Sequence, residues 1–217
     1  MIDRFKITKI LLLQKSVIIS VVLKFISVFV SLYIIRWLNV EMSISEYKDF
    51  NVVTSFTPVI IGIITFGIPQ ILYKEYTNSK EQKLTNLWTA MFVLRWISYV
   101  IGLLICFIFF NLTGLKDALI VSLIYTAQFI VIADIGFRSI LDARNKSWRF
   151  SATDLLGKIL LVIILASSKY LFIETNKLYL YAWASIAVYF IIYTLDFIIN
   201  SDLIGFSKID FKVSPSI

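Results

Sequence analysis

The stretch Ser16-Val-Ile-Ile-Ser20-Val-Val-Leu-Lys24-Phe-Ile-Ser27-Val-Phe-Val-Ser31-Leu-Tyr-Ile-Ile-Arg36-Trp37 is apolar and long enough to cross a bilayer, yet a polar line runs along it. On a helix, Ser16, Ser20, Lys24, Ser27 and Ser31 share one face, with Val, Ile, Leu and Phe filling most of the remainder. Lys24 lies roughly 13 Å along a helix that rises about 1.5 Å per residue, inside a hydrocarbon core about 30 Å thick where an ionised group is expensive. Such a face needs protein neighbours, water or an anionic guest. The rest of the chain is expected to supply the helices around it.

Composition points the same way. Of 217 residues, 59% are hydrophobic and 16% aromatic, and the mean hydropathy is +0.86, above the roughly half-apolar make-up of a soluble domain. The chain therefore reads as an all-α, polytopic membrane protein. It has no His and one Cys, Cys106, inside an apolar run. That excludes an intrachain disulfide and leaves the usual zinc, haem and thiol-nucleophile constellations without ligands or nucleophile. No catalytic residue, metal or cofactor is expected, and the chain reads as a transporter rather than an enzyme. The net charge of +7 is informative through its placement along the chain, and no nucleic-acid partner is expected.

Residues 1–15 mix Arg4, Lys6, Lys9 and Lys15 with apolar residues, which predicts a basic amphipathic lead-in on the cytoplasmic membrane surface. Six spans follow over 16–199, at about 16–37, 52–73, 87–110, 118–137, 154–173 and 178–199, with a polar tail over 200–217. A polar link is expected over 39–51. The second span carries Pro58, Gly62, Gly67 and Pro69 and is expected to be interrupted. In the third, Arg95 shares a face with Ser98, Gly102 and Cys106, whose small side chains allow close packing. Positive residues cluster at 4–15, 74–83, 138–149 and 208–212, against scattered Arg36, Lys48, Lys116, Lys169 and Lys177 on the other side. Both termini are thus expected in the cytoplasm.

Lys24, Arg95 and Lys158 all fall within odd-numbered spans, in the cytoplasmic half of the membrane. Together they predict a cationic, substrate-binding cavity suited to a phosphate-bearing amphiphile, with Ser20, Ser27, Ser31, Tyr189, Tyr193 and Asp196 as polar lining. Each cation also has a plainer reading. Lys158 follows Asp154 by four positions, which accounts for it as an ion pair. Arg95, about 12 Å from its end of the helix, can snorkel toward headgroups. Lys24 is the strongest candidate, because the serines extend its polar face. Asp196 and Asp134 lie near the cytoplasmic ends, where an interfacial role serves as well as a functional one.

Several segments carry a resemblance to a known family. Tyr33-Ile-Ile-Arg-Trp-Leu followed by Ser45-Glu-Tyr-Lys-Asp-Phe is similar to an Arg-x-Leu-Gly…Glu-Tyr/Phe-Gly segment after the first helix of bacterial polysaccharide-unit flippases. Thr65-Phe-Gly-Ile-Pro-Gln-Ile-Leu-Tyr-Lys-Glu resembles the end of that family's second helix. Trp88-Thr-Ala-Met-Phe-Val-Leu-Arg resembles the opening of its third helix, and Asp142-Ala-Arg-Asn-Lys leading to Asp154-Leu-Leu-Gly-Lys that of its fifth. The likeness spans nearly the whole chain; Asn39 and Lys48 replace the family's Gly residues. The superfamily includes multidrug exporters and lipid II flippases. The resemblance implies a six-helix, MATE-like lobe in the inner membrane that moves an undecaprenyl-diphosphate-linked oligosaccharide between leaflets, with cavity cations holding the diphosphate. Family members pair two such lobes, so a homodimer, a second six-helix polypeptide or a truncated product is expected here, with membrane lipids around it.

Three other functions compete. A cation-coupled multidrug exporter needs acidic residues deep in the cavity, whereas Asp134, Asp154 and Asp196 lie near the cytoplasmic ends. A membrane-embedded glycan polymerase or ligase needs a large external loop with catalytic groups, and the external links here are short. A non-catalytic assembly subunit is the third.

Overall fold

The computed structural model describes residues 4–65, 70–71, 73–74, 81–113, 117–143, 146–171 and 176–200, with side chains described outside 4–14, 81–92, 113, 132–137, 139–140, 143 and 169–171. Among these residues there is no strand. Six helices follow in order: α1 (Arg4–Glu41), α2 (Ile44–Ile64), α3 (Glu81–Thr113), α4 (Ala118–Ala143), α5 (Ser147–Leu171) and α6 (Lys177–Ile199). Four hold segments long and apolar enough to cross a membrane: Lys15–Glu41, Val93–Leu112, Ser147–Ser168 and Lys177–Ile199. The described residues thus form an all-helical fold whose four long apolar segments suit a membrane protein. In α4 the described apolar stretch, Ala118–Val131, is shorter, and α2 opens with Glu46, Lys48 and Asp49.

Helix boundaries depart from the sequence expectation in an instructive way. Nothing between residues 4 and 41 breaks a helix, neither Gly nor Pro. The basic lead-in and the first span accordingly form one helix of 38 residues, about 57 Å long. The expected link over 39–51 is mostly helix as well, because Ser43-Ile-Ser-Glu46 is a capping box. Ser43 Oγ accepts from Glu46 N at 3.3 Å and Glu46 Oε2 accepts from Ser43 N at 2.8 Å, satisfying two orphan N–H groups at the helix start. From there α2 runs through Pro58 and Gly62 without a break. Burial of Thr57, Ile60 and Ile61 on its inner face supplies the packing that tolerates the missing proline N–H. Gly67, Pro69 and the tail over 201–217 lie outside the described residues. Helices take up most of the positive cluster over 138–149, one ending at Ala143 and the next starting at Ser147. Arg138 rides on α4, 3.7 Å from Asp142, and Arg149 on α5.

Helix α4 is central and packs against α2, α3, α5 and α6, while α6 also meets α5 and α2. Its buried side chains include Ile124 and Tyr125, which share one core with Leu161 and Leu165 of α5 and Val188 of α6. Helix α1 packs chiefly along α5, burying Ile34, Trp37 and Leu38 and leaving Phe25 and Phe29 exposed. Exposed Leu104 and Trp183 continue this apolar exterior. Close approach of α3 to α4 depends on Gly102, where a Cβ would overlap the Tyr125 hydroxyl and lie 2.7 Å from Ile64 Cδ1. That hydroxyl donates to Tyr99 O at 3.2 Å.

The even-numbered helices begin at a common end and are tied together there. Asp117 caps α4, accepting from Leu119 N at 3.1 Å and Ile120 N at 3.2 Å, and also accepts from the Tyr179 hydroxyl. Asn176 caps α6, and Glu46 Oε1 accepts from Lys177 N at 3.2 Å. Partial burial pushes the Glu46 carboxyl up. Hydrogen bonds from Ser43, Lys177 and Leu178 outweigh it and hold the group below its ordinary 4.5.

Gly102→Ala will lower the thermal stability of the purified protein by about 1–2 kcal/mol through overpacking, and Tyr125→Phe will partly restore it by removing the clashing oxygen. Gly62→Ala, with nothing within 4 Å, will not destabilise. Because the folded carboxyl of Glu46 is depressed, its stabilising contribution is complete at neutral pH and fades as pH falls below 4.5 through the lower folded value. Melting curves at pH 7 and pH 4 will show a larger acid loss for the unaltered chain than for Glu46→Gln.

Candidate functional site: a cleft between two helix pairs

The serine face of α1 lies in its seam with α5. Ser16, Ser20 and Ser27 are buried, and Ser20 Oγ is 2.7 Å from Ser151 Oγ. Ser27 Oγ donates to Asp154 Oδ2 at 2.9 Å and accepts from Lys158 Nζ at 2.6 Å. Lys158 Nζ is in turn 3.1 Å from Asp154 Oδ2. The helical spacing of Asp154 and Lys158 predicts the ion pair; Ser27 closes it into a triangle across two helices. An ammonium has three N–H donors, and this triangle uses two.

Lys158 forms part of the wall of a cavity of about 370 Å³ between α1, α2, α5 and α6, with Ser31, Asn51, Tyr181 and Tyr189 among its polar lining. A second cavity, of about 280 Å³, lies toward α2 and α4 and is lined by Thr54, Gln128 and Ser185 together with the same two tyrosines. Tyr181 and Tyr189 of α6 therefore stand between two halves of one cleft. Tyr189 also lines a small space with Asp154 and Gly157. A Cβ on Gly157 would lie 3.0 Å from Ile192 Cγ1, so the glycine permits α5 and α6 to approach closely beside that pair. Beside the second cavity the Thr57 hydroxyl and the Gln128 amide meet and link α2 to α4.

The three cations expected around one cavity fall in three places. Lys158 is at the cleft. Arg95 is 7% exposed, at a separate cavity of about 250 Å³ walled by Trp96, Tyr99, Phe129, Phe190 and Tyr193. Lys24 is exposed on α1. Of the expected polar lining, Ser31 and Tyr189 border the Lys158 cavity and Tyr193 borders that of Arg95. Ser20 and Ser27 are committed to the α1–α5 seam. Asp196 is fully buried, where Oδ2 accepts from Thr153 Oγ1 at 3.0 Å and its backbone oxygen from Asn200 Nδ2 at 2.8 Å. It fastens α6 to α5. Asp134 lies outside the described side chains.

Sequence reasoning missed Tyr181, Asn51, Thr54 and Ser185. The signal for α6 was present, since Tyr181, Ser185 and Tyr189 follow one another at four-residue steps and share a helix face. Asn51 was hidden because its segment read as a link, and Thr54, in the second span, because its neighbours are mostly apolar. Among the described residues no three of His, Cys, Asp and Glu cluster as metal ligands. No protein-family model, curated protein or solved structure matches the chain.

The triangle generates a test of coupling. Lys158→Met will destabilise the protein by about 1–3 kcal/mol, since it strands a carboxylate in the seam. Adding Asp154→Leu will return most of that loss, as measured by thermal unfolding in detergent across the double-mutant cycle.

Proposed function

We propose that this chain is one lobe of a flippase that moves a lipid-linked oligosaccharide, of the undecaprenyl-diphosphate type, across the cytoplasmic membrane. One observation carries the reading: the Lys158 ammonium, held by Asp154 and Ser27 but with a donor to spare, borders a cavity of about 370 Å³ within a bundle whose exterior is apolar. An amphiphile can place an anionic headgroup in such a cleft and leave its chain in lipid. The headgroup phosphate would compete with Asp154 for the ammonium, giving charge-assisted hydrogen bonds without a buried, unbalanced charge. The segments that resemble polysaccharide-unit flippases support the same class. In this reading the chain crosses the inner membrane six times with both termini in the cytoplasm, as the Lys/Arg asymmetry requires.

Lys24 supports the need for a second lobe. It lies roughly 13 Å from Lys15 and 18 Å from Arg36 along the helix, and its neighbours Val21, Val22, Phe25 and Val28 are exposed. Such a side chain is too short to reach either headgroup layer from there. A second copy or another six-helix unit covering this face of α1 would remove the cost of exposing it to lipid tails.

Reconstitution in proteoliposomes with a fluorescent prenyl-diphosphate glycan tests the proposal. The unaltered protein is expected to translocate it as a particle of more than one lobe, and Lys158→Ala to slow the rate at least tenfold at matched protein levels. Unchanged transport in that variant removes the cleft from the mechanism. The Asp154 carboxylate beside the same cavity favours, as a second reading, a cation-coupled exporter. Gradient-driven movement of a cationic dye, with no movement of the glycan lipid, would establish that one instead.

A further inference from the structure

The half of the cleft away from Lys158 has a chemistry of its own. Among the described residues no charged side chain lines the cavity of about 280 Å³ between α2, α4 and α6. Its polar groups are the Gln128 amide and the hydroxyls of Thr54, Ser185, Tyr181 and Tyr189. Ser185 is 2% exposed, and its Oγ makes no hydrogen bond of normal geometry, only a loose approach to the Tyr181 side chain. Gln128 meets Thr57 through one end of its amide, and at least one amide N–H donor is left for the cavity. Ile124 and Val131 supply apolar wall.

These features select among ligand classes. A phosphate or an acidic sugar would be buried there without a countercharge, at high cost. A lipid chain would leave the Gln128 amide N–H and the Ser185 hydroxyl without partners, which offsets what its apolar contacts gain. An uncharged pyranose ring meets both demands, since its hydroxyls donate and accept around the rim while its C–H faces lie against aromatic and aliphatic walls. The cavity also shares Tyr181 and Tyr189 as walls with the Lys158 cavity, so a sugar and a diphosphate attached to it have neighbouring places.

We infer that this cavity is a subsite for the neutral sugar ring next to the diphosphate of the transported headgroup, with Gln128 and Ser185 as its hydrogen-bonding residues. The inference rests on the flippase reading for the lipid-linked source of the sugar, but not for the chemistry of the subsite.

Equilibrium binding to the full chain in nanodiscs distinguishes the two, with three probes: farnesyl diphosphate, farnesyl-diphosphate-linked N-acetylglucosamine, and free N-acetylglucosamine. The sugar is expected to raise affinity about tenfold over the bare diphosphate, the scale of one or two well-formed hydrogen bonds. Gln128→Ala and Ser185→Ala should each reduce that increment and leave farnesyl diphosphate binding unchanged, whereas Lys158→Gln should weaken both prenyl probes alike. Ser185→Ala changes little volume, and the comparison of probes on the unaltered protein needs no variant, so misfolding of Gln128→Ala cannot mask the result. Equal affinity for the two prenyl probes overturns the subsite while leaving the diphosphate site standing. A sugar increment that persists in both alanine variants also overturns it. Binding of free sugar with neither prenyl probe bound upholds the subsite and overturns the flippase reading; binding of none of the three overturns both.

Discussion

Every polar group that a helix carries into a bilayer must find its partner inside the protein, and the triangle of Ser27, Asp154 and Lys158 is where this chain meets that requirement most visibly. Between helices in lipid there is little hydrophobic drive to associate, because lipid tails are as apolar as Leu. The serine contacts to α5 therefore do much of the work of docking α1. They explain why a helix with so exposed an apolar surface, from Val17 to Phe29, still has a defined neighbour.

Docking α1 on α5, rather than on α2 which follows it in sequence, opens the cleft. The remaining helices gather around α4 through a different kind of contact. Gly102 admits the Tyr125 hydroxyl, and the Tyr99, Tyr125 and Phe129 rings pack together with centroids 5.2 to 5.9 Å apart. At one end Glu46, Asp117 and Asn176 fasten the starts of α2, α4 and α6. Two tied bodies, α1 with α5 and α2 with α4, thus face each other across α6, whose tyrosines divide the space between them.

The electrostatics of the cleft differ from a simple positive chamber. Three cations in related spans imply a strong field, but Arg95 and Lys24 stand elsewhere and Lys158 is locally balanced by Asp154. What the cleft offers an anion is exchange of one partner for another. Exchange keeps the buried charge paired throughout, whereas an open cationic site would bear the desolvation cost of an unpaired ammonium when empty. In the proposed function the uncharged half would add selectivity through hydrogen bonds, whose value lies chiefly in what they reject.

Composition and periodicity marked the chain as helical with segments apolar enough to span a membrane, placed six helical segments, and paired Asp154 with Lys158, because those properties depend on neighbours a few residues apart. The capping box at 43–46 and the Tyr181–Ser185–Tyr189 face are equally local and were legible in the same sense, though the polarity of residues 39–51 masked the first. Only the tertiary structure decided where the serine face points. Ser16, Ser20, Lys24, Ser27 and Ser31 look equivalent along a helix, yet the seam with α5 takes the serines and leaves Lys24 outside. The same holds for Lys24, Arg95 and Lys158, whose related depth says nothing about their angular position around the bundle. Sequence periodicity determines which residues lie together on one helix; which helix that face meets is set by the fit of side chains from segments more than a hundred residues apart, as between Ser27 and Asp154.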